Sequence, residues 1–293
     1  MLNHKEQIKY GYYIHMREDL SWYLSSCCKE FLPWLDKIST IMQLDAGTFD
    51  SGGMLTVSGS NTESDNLAEH GWQHHDLGSV CLWSKDCTPN IICKVNAFDT
   101  PEDEIVAMWN ILYPFYKKAI YKGGLPIHAA LIEHKGRAVL LAASGDTGKS
   151  TCCIRLPGHW HALCDDEALV VKSEGGGYRV HPFPTWSDYL WRNSKKTWDV
   201  QKSTPLHGIF FIEQSKKDKA EFLGTGFSAV SITESSTQTC RKYWIRSDDE
   251  FQRRFKIKLF NNACEMAKKI PAFKLKVSLH GRFWEEIERV MGW

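Results

Sequence analysis

The sequence predicts an α/β (α+β) protein, in which a mixed sheet carries a glycine-rich loop and follows a smaller N-terminal α+β domain. Three observations support this fold class. Apolar runs of strand length alternate with helical segments without a strict β–α–β order, which favours a mixed sheet. A glycine-rich stretch at residues 143–150 stands between an apolar run and a helical segment. The 293 residues are 43% hydrophobic and 24% charged, enough for a buried core in one large or two modest domains.

Residues 1–100 form the predicted N-terminal domain, a candidate for peptide recognition. Strand patterns occur at residues 10–15 and 80–83, and residues 34–44 have the apolar spacing of a helix. Residues 50–66 are rich in glycine, serine and polar side chains, and this composition predicts a loop.

Residues 101–293 form the second predicted domain. Thr100 is an expected N-cap and Pro101 lies in the first turn of a helix that should continue to about residue 121. Two apolar runs, at 126–132 and 138–142, flank a turn and predict a hairpin that leads into the glycine-rich loop. Further strands are expected at 162–164, 168–171, 209–212 and 274–279, and a closing amphipathic helix at 283–290.

The glycine-rich loop reads Ala-Ser-Gly-Asp-Thr-Gly-Lys-Ser and nearly matches G-x-x-x-x-G-K-[ST], with Ala143 at the first glycine. In such a loop the backbone N–H groups surround a phosphate, the lysine reaches the β and γ oxygens, and the serine hydroxyl binds Mg²⁺. The loop therefore predicts a nucleoside triphosphate as ligand and Ser150 as a Mg²⁺ ligand. The predicted nucleotide-binding residues are Ser144, Gly145, Asp146, Thr147, Gly148, Lys149, Ser150 and Thr151.

Two adjacent acids, Asp165 and Asp166, follow the apolar run 162–164, fifteen and sixteen residues after Ser150. A strand that ends in an acid after such a loop commonly supplies a Mg²⁺ ligand. One carboxylate is sufficient for the metal, so the other is available to accept a proton from a substrate hydroxyl. The alternative is an acidic pair that is simply exposed at the end of a strand.

His128 lies on the first strand of the predicted hairpin. The hairpin should bring it alongside the loop and within reach of the acidic pair. A histidine in an apolar strand is usually a hydrogen-bonded core residue. The position beside the loop makes a role in the site an equal alternative, so both stay open.

The stretch from His128 to about residue 171 resembles the catalytic core of HPr kinase/phosphorylase, a family related to ATP-dependent phosphoenolpyruvate carboxykinase. Both have a histidine, an apolar hairpin, an S-G-x-G-K-S loop and Asp-Asp after a short helix. The resemblance implies that Asp165 is the general base, that His128 hydrogen-bonds to it, that Asp166 is the metal-side acid and that Lys149 binds phosphate. Thr151 replaces the family's acid after the loop serine, which argues against phosphorylase chemistry. The family segment that acts on HPr is not found, so HPr is not the expected substrate.

More specifically, the whole chain resembles HPr-kinase-related proteins of the SynChlorMet cassette type, which are encoded beside ribosomal-peptide and radical-SAM maturation genes. The residues that carry this resemblance are Met108-Trp109 and the segments 123–130, 164–167, 181–186 and 281–284. The resemblance implies an ATP- and Mg²⁺-dependent kinase that phosphorylates a hydroxyl, a serine in particular, of a precursor peptide. Two alternatives stay open: a non-catalytic nucleotide-binding scaffold for a peptide, and an ATPase in which Asp165 activates water.

Four weaker features are further candidates for parts of a site. The segment 181–186 predicts either a surface for adenine or a peptide groove, or a packed loop, and Arg192 is a candidate phosphate contact. His159-x-His161 and the group His70, His74 and His75 resemble metal ligands. No cysteine or acid completes a zinc set at the usual spacing, so exposed histidines are expected there.

The bulk composition excludes several classes of partner. A net charge of +1 gives no reason to expect a nucleic acid. The first residues lack the apolar segment of a secretory signal, and no run approaches the roughly 20 apolar residues that span a bilayer. We therefore expect a soluble, cytoplasmic protein without a membrane partner; whether it forms a homo-oligomer is left open.

Overall fold

The computed structural model describes residues 11–50, 52–59, 67–143, 145, 147–192, 194–245 and 247–293. The chain divides into two compact units. The first comprises Met1–Phe115, Trp186–Gln201 and Ile245–Ser247, and the second comprises Tyr116–Thr185, Lys202–Trp244 and Asp248–Trp293. Each unit contains a sheet with both parallel and antiparallel pairs, together with helices. The predicted mixed α/β architecture is thereby confirmed.

The first unit contains a seven-stranded sheet. Its strands are β1 (Gly11–Arg17), β2 (Leu20–Ser26), β3 (Asp45–Gly47), β4 (Gly53–Gly59), β5 (Gln73–Asp76), β6 (Val80–Lys85) and β7 (Thr88–Val95). They lie in the order β3-β1-β2-β4-β7-β6-β5. The helices of this unit are a 3₁₀ turn (Lys29–Phe31), α1 (Leu32–Met42), α2 (Pro101–Asn110) and α5 (Trp186–Trp191), and α3 (Tyr113–Tyr121) begins in it.

The loop predicted at residues 50–66 is wrong for part of its length, because β4 runs through it. β4 pairs in parallel with β2 on one edge and with β7 on the other, so it is an interior strand of the sheet. A Cβ atom on Gly53 would lie 2.9 Å from Cδ1 of Trp22, so glycine at this position reflects close packing and not a turn. Residues 51 and 60–66 of the predicted loop lie outside the described residues.

The single helix predicted from residue 101 to about 121 is two helices, α2 and α3. Thr100 caps α2 as expected, since its side chain accepts a hydrogen bond from the N–H of Asp103 and the Asp103 carboxylate accepts one from the N–H of Thr100. Pro114 explains the break. It has no N–H to donate to the carbonyl of Asn110, and its ring would collide with that carbonyl in a continuous helix.

The second unit contains an eight-stranded sheet. Its strands are β8 (Leu125–His134), β9 (Arg137–Ala142), β10 (His161–Cys164), β11 (Glu167–Lys172), β12 (Tyr178–Pro182), β13 (Thr204–Gln214), β14 (Lys219–Leu223) and β15 (Ala272–Val277). The helices are α4 (Lys149–Arg155), α6 (Thr225–Trp244), α7 (Asp249–Ala267) and α8 (Phe283–Met291), with most of α3. The predicted segments overlap the hairpin β8–β9, the strands β10, β11, β13 and β15 and the closing helix α8. β12, β14, α6 and α7 were not predicted, and the strand predicted to reach residue 279 ends at Val277.

The interior of the second unit is formed around β8 and β9, whose apolar side chains are almost wholly buried. One apolar cluster joins this hairpin to β13, β15, α4 and α8 through Leu141, Phe210, Leu275, Cys152 and Phe283. The strand ends near the glycine-rich loop are therefore held by a packed core.

Among the described residues, no helix is both long enough and apolar enough to cross a membrane.

Candidate functional site

The register of β8 brings the predicted site residues to one place. On one edge of β8, Ala129 pairs with Ala142, the last residue of β9, so the glycine-rich loop begins at the level of His128. On the other edge, β10 pairs with residues 131–133 and β11 with residues 125–128. Asp165 and Asp166 lie between those two strands, where the ladder is interrupted beside Ala129 and Ala130. The loop and the acidic pair therefore flank His128 from opposite edges of one strand.

The loop ends at Gly148, which precedes α4 with φ 108° and ψ 19°. Only glycine adopts such a conformation without strain, which accounts for the glycine at this position. The hydroxyl of Thr147 donates to the carbonyl of Gly145 at 3.4 Å. Ser150 and Thr151, in the first turn of α4, are exposed. Ser144 and Asp146, both predicted to bind nucleotide, lie outside the described residues.

Lys149 has a buried side chain, only 7% exposed. Its ammonium donates to the carbonyl of Ala143 at 3.1 Å and to Nε2 of His128 at 2.7 Å. Because an ammonium can only donate, Nε2 of His128 must be an acceptor, and the proton of the neutral ring is on Nδ1.

His128 joins the lysine to the acidic pair. Its Nδ1 lies 3.3 Å from Oδ1 of Asp166. Burial lowers the pKa of His128 below its ordinary value and the charge of Lys149 lowers it further, while Asp166 acts in the opposite direction. The side chain of Ser235, on α6, donates to the His128 carbonyl at 3.0 Å and fixes the strand at this residue.

The two acids have different partners. The resemblance implied that His128 bonds to Asp165, whereas the structure places the imidazole against Asp166. Asp165 instead accepts a hydrogen bond from the hydroxyl of Thr185. The two carboxylates point to different neighbours because the backbone bends at this pair between β10 and β11.

Sequence reasoning missed three polar side chains behind the site: Thr185, Glu167 and Lys242. Glu167 pairs directly with His128 in the β8–β11 ladder and is 3% exposed. Burial lowers the pKa of Lys242 to about 7, and the negative charges of Glu167 and Asp166 oppose the shift. Glu167 could have been predicted, because it directly follows the acidic pair in the sequence. Lys242 could not, because it lies on α6, far from the acidic pair in the sequence.

Two of the weaker candidates, the segment 181–186 and Arg192, have contacts within the protein. His181, Phe183 and Trp186 are each at most 1% exposed, so the segment 181–186 is packed inside the protein and forms no open surface for adenine or a peptide. Arg192 lies in the first unit and pairs with Asp188 at 3.3 Å.

In a comparison with protein families, the model of SynChlorMet cassette protein ScmC matches residues 91–292. The chain belongs to this family. The matched region contains the loop, His128 and the acidic pair. Among curated proteins, none matches the chain.

Proposed function

We propose that this protein is an ATP- and Mg²⁺-dependent kinase that transfers the γ-phosphoryl group to a hydroxyl, a serine hydroxyl of a peptide in particular. The observation that supports this is the chain of contacts from the Ala143 carbonyl through Lys149 and His128 to Asp166. It joins a loop of the phosphate-binding type to Asp166, one of two adjacent carboxylates, and phosphoryl transfer needs both such a loop and acidic side chains.

The loop residues have separate roles in this proposal. Backbone N–H groups of residues 143–151 surround the phosphates, and the Lys149 ammonium neutralises charge on the transferred group. The exposed hydroxyl of Ser150 and the half-buried carboxylate of Asp166 are oxygen ligands of the kind that Mg²⁺ prefers. Bound Mg²⁺ would supply further neutralisation of phosphate charge.

Asp165 accepts the proton of the substrate hydroxyl. It is the acid that His128 does not contact, and the Thr185 hydroxyl orients it. His128 then acts as a positioning residue, since it holds Lys149 on one nitrogen and Asp166 on the other. This differs from the direct assistance to Asp165 that the family resemblance implied.

We infer a peptide as the substrate from the resemblance to kinases of peptide-maturation clusters. The test is mass spectrometry of the precursor peptide encoded beside the gene, after incubation with the full-length protein, ATP and Mg²⁺. We expect the peptide to gain one phosphate, and its serine-to-alanine variant to gain none. ADP release is measured in the same samples.

The controls compare two lysines. Lys149→Met should abolish transfer, and Lys217→Met, at an exposed turn, should leave it unchanged. ADP release without a phosphorylated peptide would favour the ATPase. Nucleotide binding with neither ADP release nor phosphopeptide would favour the scaffold and contradict the kinase.

A further inference from the structure

Three metal-ligating side chains meet at the end of β8 that lies away from His128. They are His134, the last residue of β8, His159, which precedes β10, and Glu288 on α8. One nitrogen of each imidazole and one oxygen of the carboxylate lie within 4.8 Å of one another. Ligands of a tetrahedral zinc ion at the usual bond lengths are about 3.4 Å apart, so small side-chain movements would close this set around an ion.

The ring of His134 is oriented as in a metal site. Its Nδ1 lies 3.0 Å from the carbonyl of His159, and a carbonyl can only accept, so Nδ1 carries the proton. The lone pair of the neutral ring is therefore on Nε2. A backbone carbonyl bonded to the other nitrogen is the usual support of a metal-bound histidine.

Glu288 has a comparable support. Its Oε1 accepts a hydrogen bond from Nε1 of Trp160 at 2.9 Å and lies 3.0 Å from Nε2 of His159. The second contact joins two of the proposed ligands and would be replaced by the ion, with the proton of the neutral His159 ring on Nδ1. The indole N–H of Trp160 thus holds the carboxylate in a fixed orientation.

The surrounding packing makes the cluster rigid. The indole of Trp160 stacks on the His134 ring with centroids 4.9 Å apart, and that of Trp293 stacks at 5.9 Å. Trp160 belongs to the same apolar cluster as Phe283 and Ile287 of α8. Side chains fixed by packing and by hydrogen bonds lose little freedom when an ion binds, which favours affinity.

We propose that His134, His159 and Glu288 bind a divalent transition-metal ion, Zn²⁺ in particular. Two imidazoles and one carboxylate favour Zn²⁺ over Mg²⁺, because Mg²⁺ prefers oxygen ligands. Three protein ligands leave one coordination position for water or another molecule. The ion would join the end of β8, the segment before β10 and α8. This site is separate from the proposed Mg²⁺ at the loop and does not depend on the kinase proposal.

The test is titration of the full-length, tag-free protein with Zn²⁺ by calorimetry. The background carries Cys27→Ser and Cys28→Ser, because these adjacent thiols, with sulfur atoms 3.7 Å apart, are a competing site for soft metals. We expect one Zn²⁺ per chain. Removing the donor to Glu288 with Trp160→Phe should weaken binding about 10–100-fold. His159→Gln and Glu288→Gln should weaken it at least as much.

The matched control is His161→Gln, an exposed histidine two residues from His159, which should leave the affinity unchanged. Co²⁺ provides a second readout: its visible absorption should show nitrogen and oxygen ligands without thiolate charge transfer. The His159 side chain is 53% exposed, so its substitution should not impair folding, and that variant decides the test if Glu288→Gln is unstable. Absence of Zn²⁺ binding, or unchanged affinity in His159→Gln, would overturn the proposal.

Discussion

Lys149 and His128 share a hydrogen bond in which the imidazole must be unprotonated to accept. Since the pKa of His128 is lowered from 6.5, the folded state binds this proton less readily than the unfolded state. The contribution of His128 to the free energy of unfolding is therefore constant above about pH 6.5. It decreases as the pH falls from there through the folded pKa. Urea denaturation between pH 5 and about pH 8 should show this loss.

The comparison that isolates this effect is His128→Gln, which keeps an acceptor and a donor but does not titrate. Its stability should change less between about pH 7 and pH 5 than that of the unmodified protein. His161→Gln is the control at an exposed position. Equal pH dependence of all three proteins would show that His128 is not kept neutral by its surroundings.

Substitution of Asp165 should remove the general base, and substitution of Asp166 should remove a Mg²⁺ ligand. Asp165→Asn should lower phosphate transfer by about 10²–10⁴-fold while nucleotide binding is retained, because only the base is lost. Asp166→Asn should instead weaken Mg²⁺-dependent nucleotide binding, as expected for a metal ligand. Transfer rates and nucleotide affinities measured on both variants test the assignment, and near-normal transfer by Asp165→Asn would refute it.

The sequence predicted which residues meet at the site but not all of their contacts. The loop motif, the hairpin and the acidic pair have local patterns, and strand register then places His128 between them. Which acid faces His128 depends on the backbone bend between β10 and β11, for which the sequence has no pattern. His159 was considered as a metal ligand and set aside for a related reason, since Glu288, the acid beside it, is 129 residues away in the chain.

At the scale of single elements, the capping box of α2 provides a test. Thr100→Ala removes the side-chain oxygen that accepts from Asp103, and it should lower the free energy of unfolding by about 1 kcal/mol. Thr100→Ser keeps the oxygen and should restore most of the stability. Chemical denaturation of the two variants checks this, and an equal loss in both would contradict the cap.

Elements whose apolar residues recur with a clear helical or strand period were predicted well. An element was predicted wrongly where a residue typical of turns is present for another reason. The hairpin β8–β9 and the helix α8 follow their patterns. β4 was mistaken for a loop because Gly53 reads as a turn residue, while it is glycine to accommodate Trp22. The break between α2 and α3 could have been predicted, since Pro114 disfavours a continuous helix.

At the scale of the whole molecule, the first unit contains a segment, Trp186–Gln201, that is distant in sequence from the rest of the unit at Met1–Phe115. The N–H groups of Trp198 and Val200 donate to the carbonyls of Ile41 and Met42, at 2.8 and 3.4 Å. The amide of Gln201 accepts from the N–H of His15 at 3.0 Å. We therefore expect a fragment of residues 1–115 to be unstable alone and to be stabilised when residues 186–201 are joined to it by a glycine-serine linker.

Thermal unfolding of the two fragments, followed by circular dichroism, measures the difference. The matched control is the linked fragment with Trp198→Ala. This variant lacks the side chain of Trp198, which is buried (5% exposed), and should therefore be stabilised less. A cooperative transition at the same temperature in all fragments would show that residues 1–115 need no further segment.

The position of β8 has a consequence for hydrogen exchange. Residues 131–133 pair with β9 on one edge and β10 on the other, so their amides should exchange with deuterium only when the second unit opens. His128 and His134 lie six residues apart on this strand, about 20 Å in extended chain. Opening the strand would disrupt both sites at once. ATP with Mg²⁺ at one end and Zn²⁺ at the other should therefore each slow exchange of the same amides, and together they should slow it most.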